Sequence, residues 1–387
     1  MTGSLRAFLI GFFLLVIFGV PLTQAIVEMA NGERVQALDI VRRKPTSANL
    51  RAYEEDLRSA SVFARRLRPW LLFAWFAAFR NPGEKALVGR DDWFFYKPDV
   101  RYLVESSEQA RQDAFEAIIA FRDQLAARGI RLLVMPVPGK PSIYPDRLTA
   151  RANPTSGLSE TRQLLAALRS AGVETADLFT SFANWREQTH QAEPWYLARD
   201  THWTGHAAEM AASVVAAKLL QLGWVTSGST DYRVQSIIAQ RSGDVLHMMS
   251  VPRLERWFGP EPVRCEQVFR ADTREFYKDD PHSPVLILGD SFLRIYEFDA
   301  PKSAGFIAHL ARRLRMPVAS VVSDGGASTI VRRQLSQKRD LLTGKKVVIW
   351  EFVERDLRFG TDGWEHVPLP GDPDRRADMQ RPSRTRM

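Results

Sequence analysis

Cysteine is almost missing from this chain: Cys265 is the only one in 387 residues. No intramolecular disulfide can form, and a cysteine-based zinc cluster is excluded. Internal repeats are missing too, which sets aside solenoids and propellers. No helix-turn-helix, zinc finger or other nucleic-acid module is present, so the net charge of +8 is not read as a nucleic-acid surface. That charge suits another anionic partner, either phospholipid headgroups or an acidic polymer, and the plain alternative is a solvated basic face.

Long uncharged runs are also scarce. Residues 7–27 form one, and 7–22 are almost wholly apolar. Roughly 20 helical residues span a bilayer core, and this run exceeds the usual signal-peptide core of about 7–15. Arg6 precedes it and Glu28 and Glu33 follow, an asymmetry that puts the amino terminus inside and the bulk of the chain outside. Residues 1–27 are therefore expected to be a transmembrane anchor, with a cleaved signal segment as the competitor. Either way the remainder is exported.

Residues 28–85 read as a helical stalk. From 49 to 68, Leu50, Tyr53, Leu57, Ala60 and Ala64 recur at helical spacing. The run PWLLFAWFAAF at 69–79 is too short to span a bilayer. Arg65, Arg66, Arg68 and Arg80 flank it, as in an interfacial segment, while a helix buried in a core is the competing reading.

From residue 86 the pattern becomes α/β. VGRDDWFFY (88–96) is a turn and an aromatic strand. Helices are expected at 108–128 and 160–171, each stopped by a glycine and followed by a strand, at 130–137 and 173–178. Thr204 is placed to cap an alanine-rich helix that runs to about 222. Residues 224–284 give short, mixed signals. Further strands are expected at 285–288, 318–322 and 346–352, with helices at 303–314 and 330–342. The globular domain is drawn at 86–360. Residues 361–387 are expected to form a tail, disordered where proline and arginine accumulate from Gly371.

Two stretches carry chemistry. Residues 285–292, VLILGDSF, are a strand that ends in Gly289-Asp290-Ser291, at the edge where open α/β sheets place their sites. Gly, Asp and Ser are also ordinary turn formers. A serine needs a base and an orienting acid to become a nucleophile, and Asp200-Thr201-His202 offers both. In that reading Ser291 attacks, His202 moves its proton, and Asp200 orients His202 and stabilises its charged form. The Ser291 N–H, with Gly325 and Gly326 after another strand end, could serve as the oxyanion hole. His206, one turn after His202, invites a metal reading, but no further ligand cluster accompanies it, and neither metal nor cofactor is expected.

GDSF late in the chain, with DTHW well before it, resembles the SGNH-hydrolase-like proteins of the AlgJ/AlgX type, the alginate O-acetyltransferases. VGRDDWFFY, PVPGKPSIYP at 136–145 and SAGFIAHLA at 303–311 extend the resemblance over residues 86–356. Asp-x-His ahead of Gly-Asp-Ser reverses the order of ordinary SGNH esterases, and this permuted order is its more specific part. The resemblance implies an SGNH-hydrolase-like (flavodoxin-like) sheet with helices on both faces, and Asp200, His202 and Ser291 as a triad. It also implies O-acetylation of an exopolysaccharide in the periplasm, and a membrane-bound O-acyltransferase (MBOAT) as the acetyl source. The N-terminal anchor, and the lack of a recognisable carbohydrate-binding module after residue 360, place the chain nearer the AlgJ branch. The alternatives are a carbohydrate acetylesterase with the same triad, and a non-catalytic scaffold of a polysaccharide export complex.

Overall fold

In the computed structural model the described residues are 3–35, 38, 44, 46–80, 82–151, 160–188, 193–249, 251–324, 326–338, 340–360 and 362–370. The tail expected to be disordered from Gly371 lies outside them. The chain forms two compact units. One comprises 1–81 and 250–257, the other 82–249 and 258–387. The globular domain expected at 86–360 includes residues 250–257, which here stand with the first unit.

The first unit is helical. Helix α1 (Gly3–Ala30) carries no charged or hydroxyl side chain from residue 7 to residue 22. Helices α2 (Ser47–Ala60) and α3 (Val62–Phe79) follow. The single helix expected over 49–68 is thus interrupted at Ser61, and the aromatic run continues the second helix rather than starting its own.

The second unit is built on a five-stranded parallel sheet. It contains β3 (Arg131–Val137), β4 (Glu174–Thr175), β7 (Val285–Gly289), β8 (Ala319–Val322) and β9 (Val347–Val353), in the order β4-β3-β9-β7-β8. Two short ribbons, β1 (Ala86–Val88) with β2 (Phe94–Tyr96) and β5 (Tyr232–Arg241) with β6 (Glu261–Arg270), are antiparallel.

The three inner strands are apolar on both faces, as a doubly covered sheet requires. Leu133, Met135, Val285, Ile287, Val347 and Ile349 enter one core, which includes Ala208, Val215, Ile307 and Leu310. Leu132, Val134, Leu286, Leu288, Val348 and Trp350 enter the opposite one, with Ile118, Phe121, Leu164 and Val331. The helices that supply these residues are α4 (Glu108–Ala126), α6 (Glu160–Ser170), α8 (Gly205–Gln221), α12 (Phe306–Leu314) and α13 (Ile330–Gln337). Thr204 caps α8 as expected, accepting from the Ala207 N–H.

Shorter helices complete the labels: α5 (Lys140–Ile143), α7 (Leu178–Gln188), α9 (Asp244–Met248), α10 (Pro252–Phe258) and α11 (Ser291–Arg294). The strand expected at 173–178 is cut to two residues, because α7 begins at Leu178. Residues 224–284, where the sequence signals are mixed, hold the two ten-residue strands β5 and β6 with α9 and α10 between them. The carboxyl ends of β3, β7 and β9 lead to Gly139, Asp290 and Glu354, along one edge of the sheet.

Candidate active site

Buried β7 ends at Gly289, and the chain turns at once into α11. The Asp290 carboxylate caps that turn by accepting the Phe292 N–H at 2.8 Å. The Asp290 N–H donates to Glu351 Oε2 at 2.9 Å, so the turn is pinned to the central strand β9. A side chain at 289 would run into Glu351 and Leu293, so only glycine fits there. Ser291 is thereby held at the carboxyl edge of the sheet.

His202 Nε2 lies 2.8 Å from Ser291 Oγ. His202 Nδ1 lies 2.6 Å from Asp200 Oδ1, which also accepts the His202 backbone N–H at 3.0 Å. The three residues picked from the sequence thus stand in one hydrogen-bonded row, although 89 positions separate His202 from Ser291. Asp200 is fully buried and His202 is 8% exposed.

The loop that carries Asp200 and His202 is closed at its base by a bridge between Tyr196 and Trp203. Its inside is filled by the Lys140 ammonium, which donates to the carbonyls of Leu197 at 3.1 Å, Ala198 at 3.1 Å and Asp200 at 2.7 Å. Lys140 follows β3, and the preceding Gly139 N–H donates to Glu354 Oε1 at 2.6 Å. The motif PVPGK therefore joins β3, the end of β9 and the Asp200 loop. Trp203 reaches across with its indole N–H to the Phe292 carbonyl at 3.1 Å, one residue past the serine.

The hairpin and α9 add two charged groups that sequence patterns did not reveal. Asp244 accepts the Thr201 N–H at 2.7 Å and the Thr201 hydroxyl at 2.5 Å, and its Oδ2 is 3.5 Å from His202 Nδ1. Its own N–H points to Asp200 Oδ2 at 3.3 Å, and Arg241 Nη2 is 3.5 Å from the same oxygen.

Burial disfavours an ionised Asp200, but the His202 ring and its hydrogen bond, with Arg241 beyond, hold that carboxyl far below the usual range. Burial likewise opposes a charged His202, yet Asp200 and then Asp244 keep its affinity for a proton above the ordinary histidine value. Asp244 is pushed up to about 6 by burial and by the charge on Asp200. Burial lowers Lys140 to about 8 against the pull of the surrounding carboxylates. Glu351 is raised well above the ordinary value by burial and by Asp290.

Asp200, His202 and Asp244 offer ligand-type atoms within 4.8 Å of one another. These atoms are already engaged: Nδ1 by Asp200, and both Asp244 oxygens by Thr201. The set suits a proton relay better than a cation. His206 is outside the group, its ring stacked 5.2 Å from that of Trp195. Of the glycines named for an oxyanion hole, Gly325 lies outside the described residues. Gly326 packs against the Asp362 carboxylate, which accepts the N–H groups of Thr329 and Ile330 at the start of α13.

Lys140 and Glu351 were also missed as site residues. Lys140 has a readable signal, since it stands in PVPGK at a strand end. Glu351 has none, because a buried acid within VVIWEF looks like any strand residue.

A family profile described as an SGNH hydrolase-like domain, acetyltransferase AlgX, matches residues 86–354. The chain is 26% identical to the probable alginate O-acetylase AlgJ of Pseudomonas syringae pv. tomato, over 95% of its own length and 92% of that protein's. In three dimensions it is similar to the O-acetyltransferase domain of Pseudomonas putida AlgJ, with a TM-score of 0.58, 24% identity, and coverage of 71% of this chain and 92% of that one. Pseudomonas aeruginosa AlgX gives a TM-score of 0.51 at 19% identity, over 69% of this chain and 61% of that one. The α/β sheet with its SGNH-like arrangement is therefore a shared fold.

Proposed function

We propose, from the premise that this chain belongs to the SGNH hydrolase-like AlgX acetyltransferase family, that it transfers acetyl groups to hydroxyls of an alginate-like exopolysaccharide through Ser291. The observation that carries the proposal is the unbroken row Asp200–His202–Ser291 at the carboxyl edge of the sheet.

In the first half-reaction Ser291 Oγ attacks the acetyl carbonyl of the donor, and His202 Nε2 takes the hydroxyl proton. The tetrahedral intermediate collapses, the donor's leaving oxygen takes that proton from His202, and the acetyl group remains as an ester of Ser291. In the second half a sugar hydroxyl attacks this ester. His202 takes the sugar proton and returns it to Ser291 Oγ as the bond to serine breaks. One ester is exchanged for another, and no water is consumed. Asp200 fixes the tautomer that leaves Nε2 free to accept, and it stabilises the imidazolium of each half-reaction. The Ser291 N–H, at the first position of α11, has no carbonyl one turn back to bind and is offered to the oxyanion. Gly325 and Gly326 remain the proposed second donors.

Family membership also supports the setting. Helix α1 is long and apolar enough to cross a membrane, and it anchors the chain to the inner membrane with the second unit in the periplasm. A membrane-bound O-acyltransferase supplies the acetyl group, and the shared membrane raises its effective concentration at the serine. A basic chain suits an anionic acceptor.

The test uses the full chain in detergent, with a chromogenic acetyl ester as donor and an alginate oligosaccharide as acceptor. Free acetate and acceptor mass are followed together in wild type and Ser291→Ala. Acetylated acceptor, lost in the variant, is the expected result. Free acetate without acceptor modification would make the protein an esterase. Absence of fluorophosphonate labelling at Ser291 in a folded sample would return it to a scaffold.

A further inference from the structure

The helical unit carries an apolar surface that its own packing leaves in solvent. Along α3, Trp70, Leu71, Trp75 and Phe79 are each between 53% and 67% exposed. With Ala74 and Ala78, also exposed, they cover about 180° of the helix at 3.6 residues per turn. Off that face, Phe76 is buried, and the half-buried Phe73 ring lies 6.0 Å from Trp257. Trp257 is itself 72% exposed. Single exposed apolar residues are ordinary, but four large ones along one face of one helix, two of them tryptophan, are not.

A second observation places this surface. The Val62 N–H, at the start of α3, donates to Gln24 Oε1 at 2.8 Å, and Gln24 Nε2 donates to Glu28 at 2.8 Å. Gln24 and Glu28 are buried, whereas the apolar side chains of α1 before them are exposed. From Ala7 to Gln24 an α-helix rises about 26 Å, close to the thickness of a bilayer's hydrocarbon. The polar knot that starts α3 thus stands where the hydrocarbon ends. Exposed Arg66 and Arg80 bracket the aromatic face, and Arg253 stacks on Trp70.

We propose that α3 lies on the phospholipid surface at the exit of α1, with Trp70, Leu71, Trp75 and Phe79 set into the boundary between headgroups and acyl chains. Tryptophan prefers that depth, and arginines at the ends of the face meet lipid phosphates. A protein groove would call for a narrower seam at i, i+4 and i+7 than a face of half the helix. The inference rests on reading α1 as a membrane-spanning anchor.

The test uses the full chain with Cys265→Ser, reconstituted in phosphatidylcholine–phosphatidylglycerol vesicles. Single cysteines from Trp75→Cys, Leu71→Cys or Val16→Cys carry an NBD fluorophore. Lipids with nitroxide-labelled chains should lower NBD emission about twofold at 71 and 75 as well as at 16, while iodide in the water should leave all three nearly unchanged. Lipid quenching at 16 alone, with iodide reaching 71 and 75, would overturn this inference and leave the anchor intact. Protection at 71 and 75 from both quenchers would also overturn it and point to a protein contact. No lipid quenching at 16 would remove the anchor reading and this inference together. Two fluorophore positions on the face guard against one substitution disturbing it.

Discussion

The ammonium of Lys140 donates to the carbonyl oxygen of Asp200 at 2.7 Å from a fully buried position. The contact ties the strand end after β3 to the backbone of the acid that orients His202. Lys140→Met keeps the length and apolar stem but takes the ammonium from the Leu197 and Asp200 carbonyls, while the Ala198 carbonyl keeps the Phe94 N–H at 2.8 Å. Hydrogen bonds to a charged group are each worth about 1.5–3 kcal/mol net, and burial of the ammonium offsets part of that, so a stability loss of roughly 2–4 kcal/mol is expected. Transferase kcat should fall at least about tenfold through misplacement of His202. Urea denaturation and steady-state kinetics check both, and unchanged values would reduce Lys140 to a packing residue.

Asp244 makes a separate, pH-dependent prediction. Its folded value of about 6 lies above the ordinary aspartate value of 3.8. The folded state therefore holds this proton more tightly than the unfolded one, and stability is lost as pH rises from about 4 through 6. Asp244→Asn can still accept the Thr201 N–H without carrying charge. The variant should match wild type near pH 4 and be more stable by on the order of 2–3 kcal/mol at pH 7. Removing the anion also lowers the proton affinity of His202, so the acid limb of kcat/KM moves to lower pH. Thermal melts across pH and a pH–rate profile read the two effects, and a limb that stays in place would mean Asp244 is electrostatically uncoupled from His202.

The residues of the proposed relay were readable because each stands in a local signature. Ser291 ends a buried apolar run at Gly-Asp-Ser, and His202 precedes a threonine-capped alanine helix. The sheet was readable for a similar reason, since β3, β7 and β9 are continuous apolar runs. The hairpin β5–β6 was not. Most of β5 is in solvent, and Ile237 and Ile238, adjacent in sequence, are both exposed. It therefore lacks the alternation that marks a half-buried strand. Arg241 and Asp244 reach the site only because that hairpin folds back on α8. The break at Ser61 was hidden because apolar residues at helical spacing continue on both sides of it.

Trp203 supports the turn just past the serine, whereas Glu351 holds the residue before it. Its buried indole donates to the Phe292 carbonyl, and its own carbonyl accepts the Tyr296 hydroxyl at 3.2 Å. Trp203→Phe leaves the Phe292 carbonyl unpaired and opens a small cavity, at a cost of about 2–4 kcal/mol. The rate should fall through kcat more than through KM, because substrate does not touch the indole in the proposed reaction. A KM effect alone would contradict this positioning role.

Glu351 tests whether the turn beneath Ser291 needs a charge or only an acceptor. Its Oε2 takes the Asp290 N–H, and its buried Oε1 has no hydrogen-bond partner among the described residues. Burial and the adjacent Asp290 raise its proton affinity well above normal, which favours the neutral acid over the carboxylate. A neutral acid and an amide have nearly the same shape and both supply an acceptor oxygen, so Glu351→Gln should keep activity within about threefold and stability within about 1 kcal/mol. Glu351→Ala strands the Asp290 N–H and leaves space under Gly289. It should cost roughly 2–4 kcal/mol, with a loss of fluorophosphonate labelling at Ser291 that exceeds any loss of fold by circular dichroism. If the glutamine variant were as impaired as the alanine variant, the ionised carboxylate would be required, and the electrostatics of the turn would be opposite to those described.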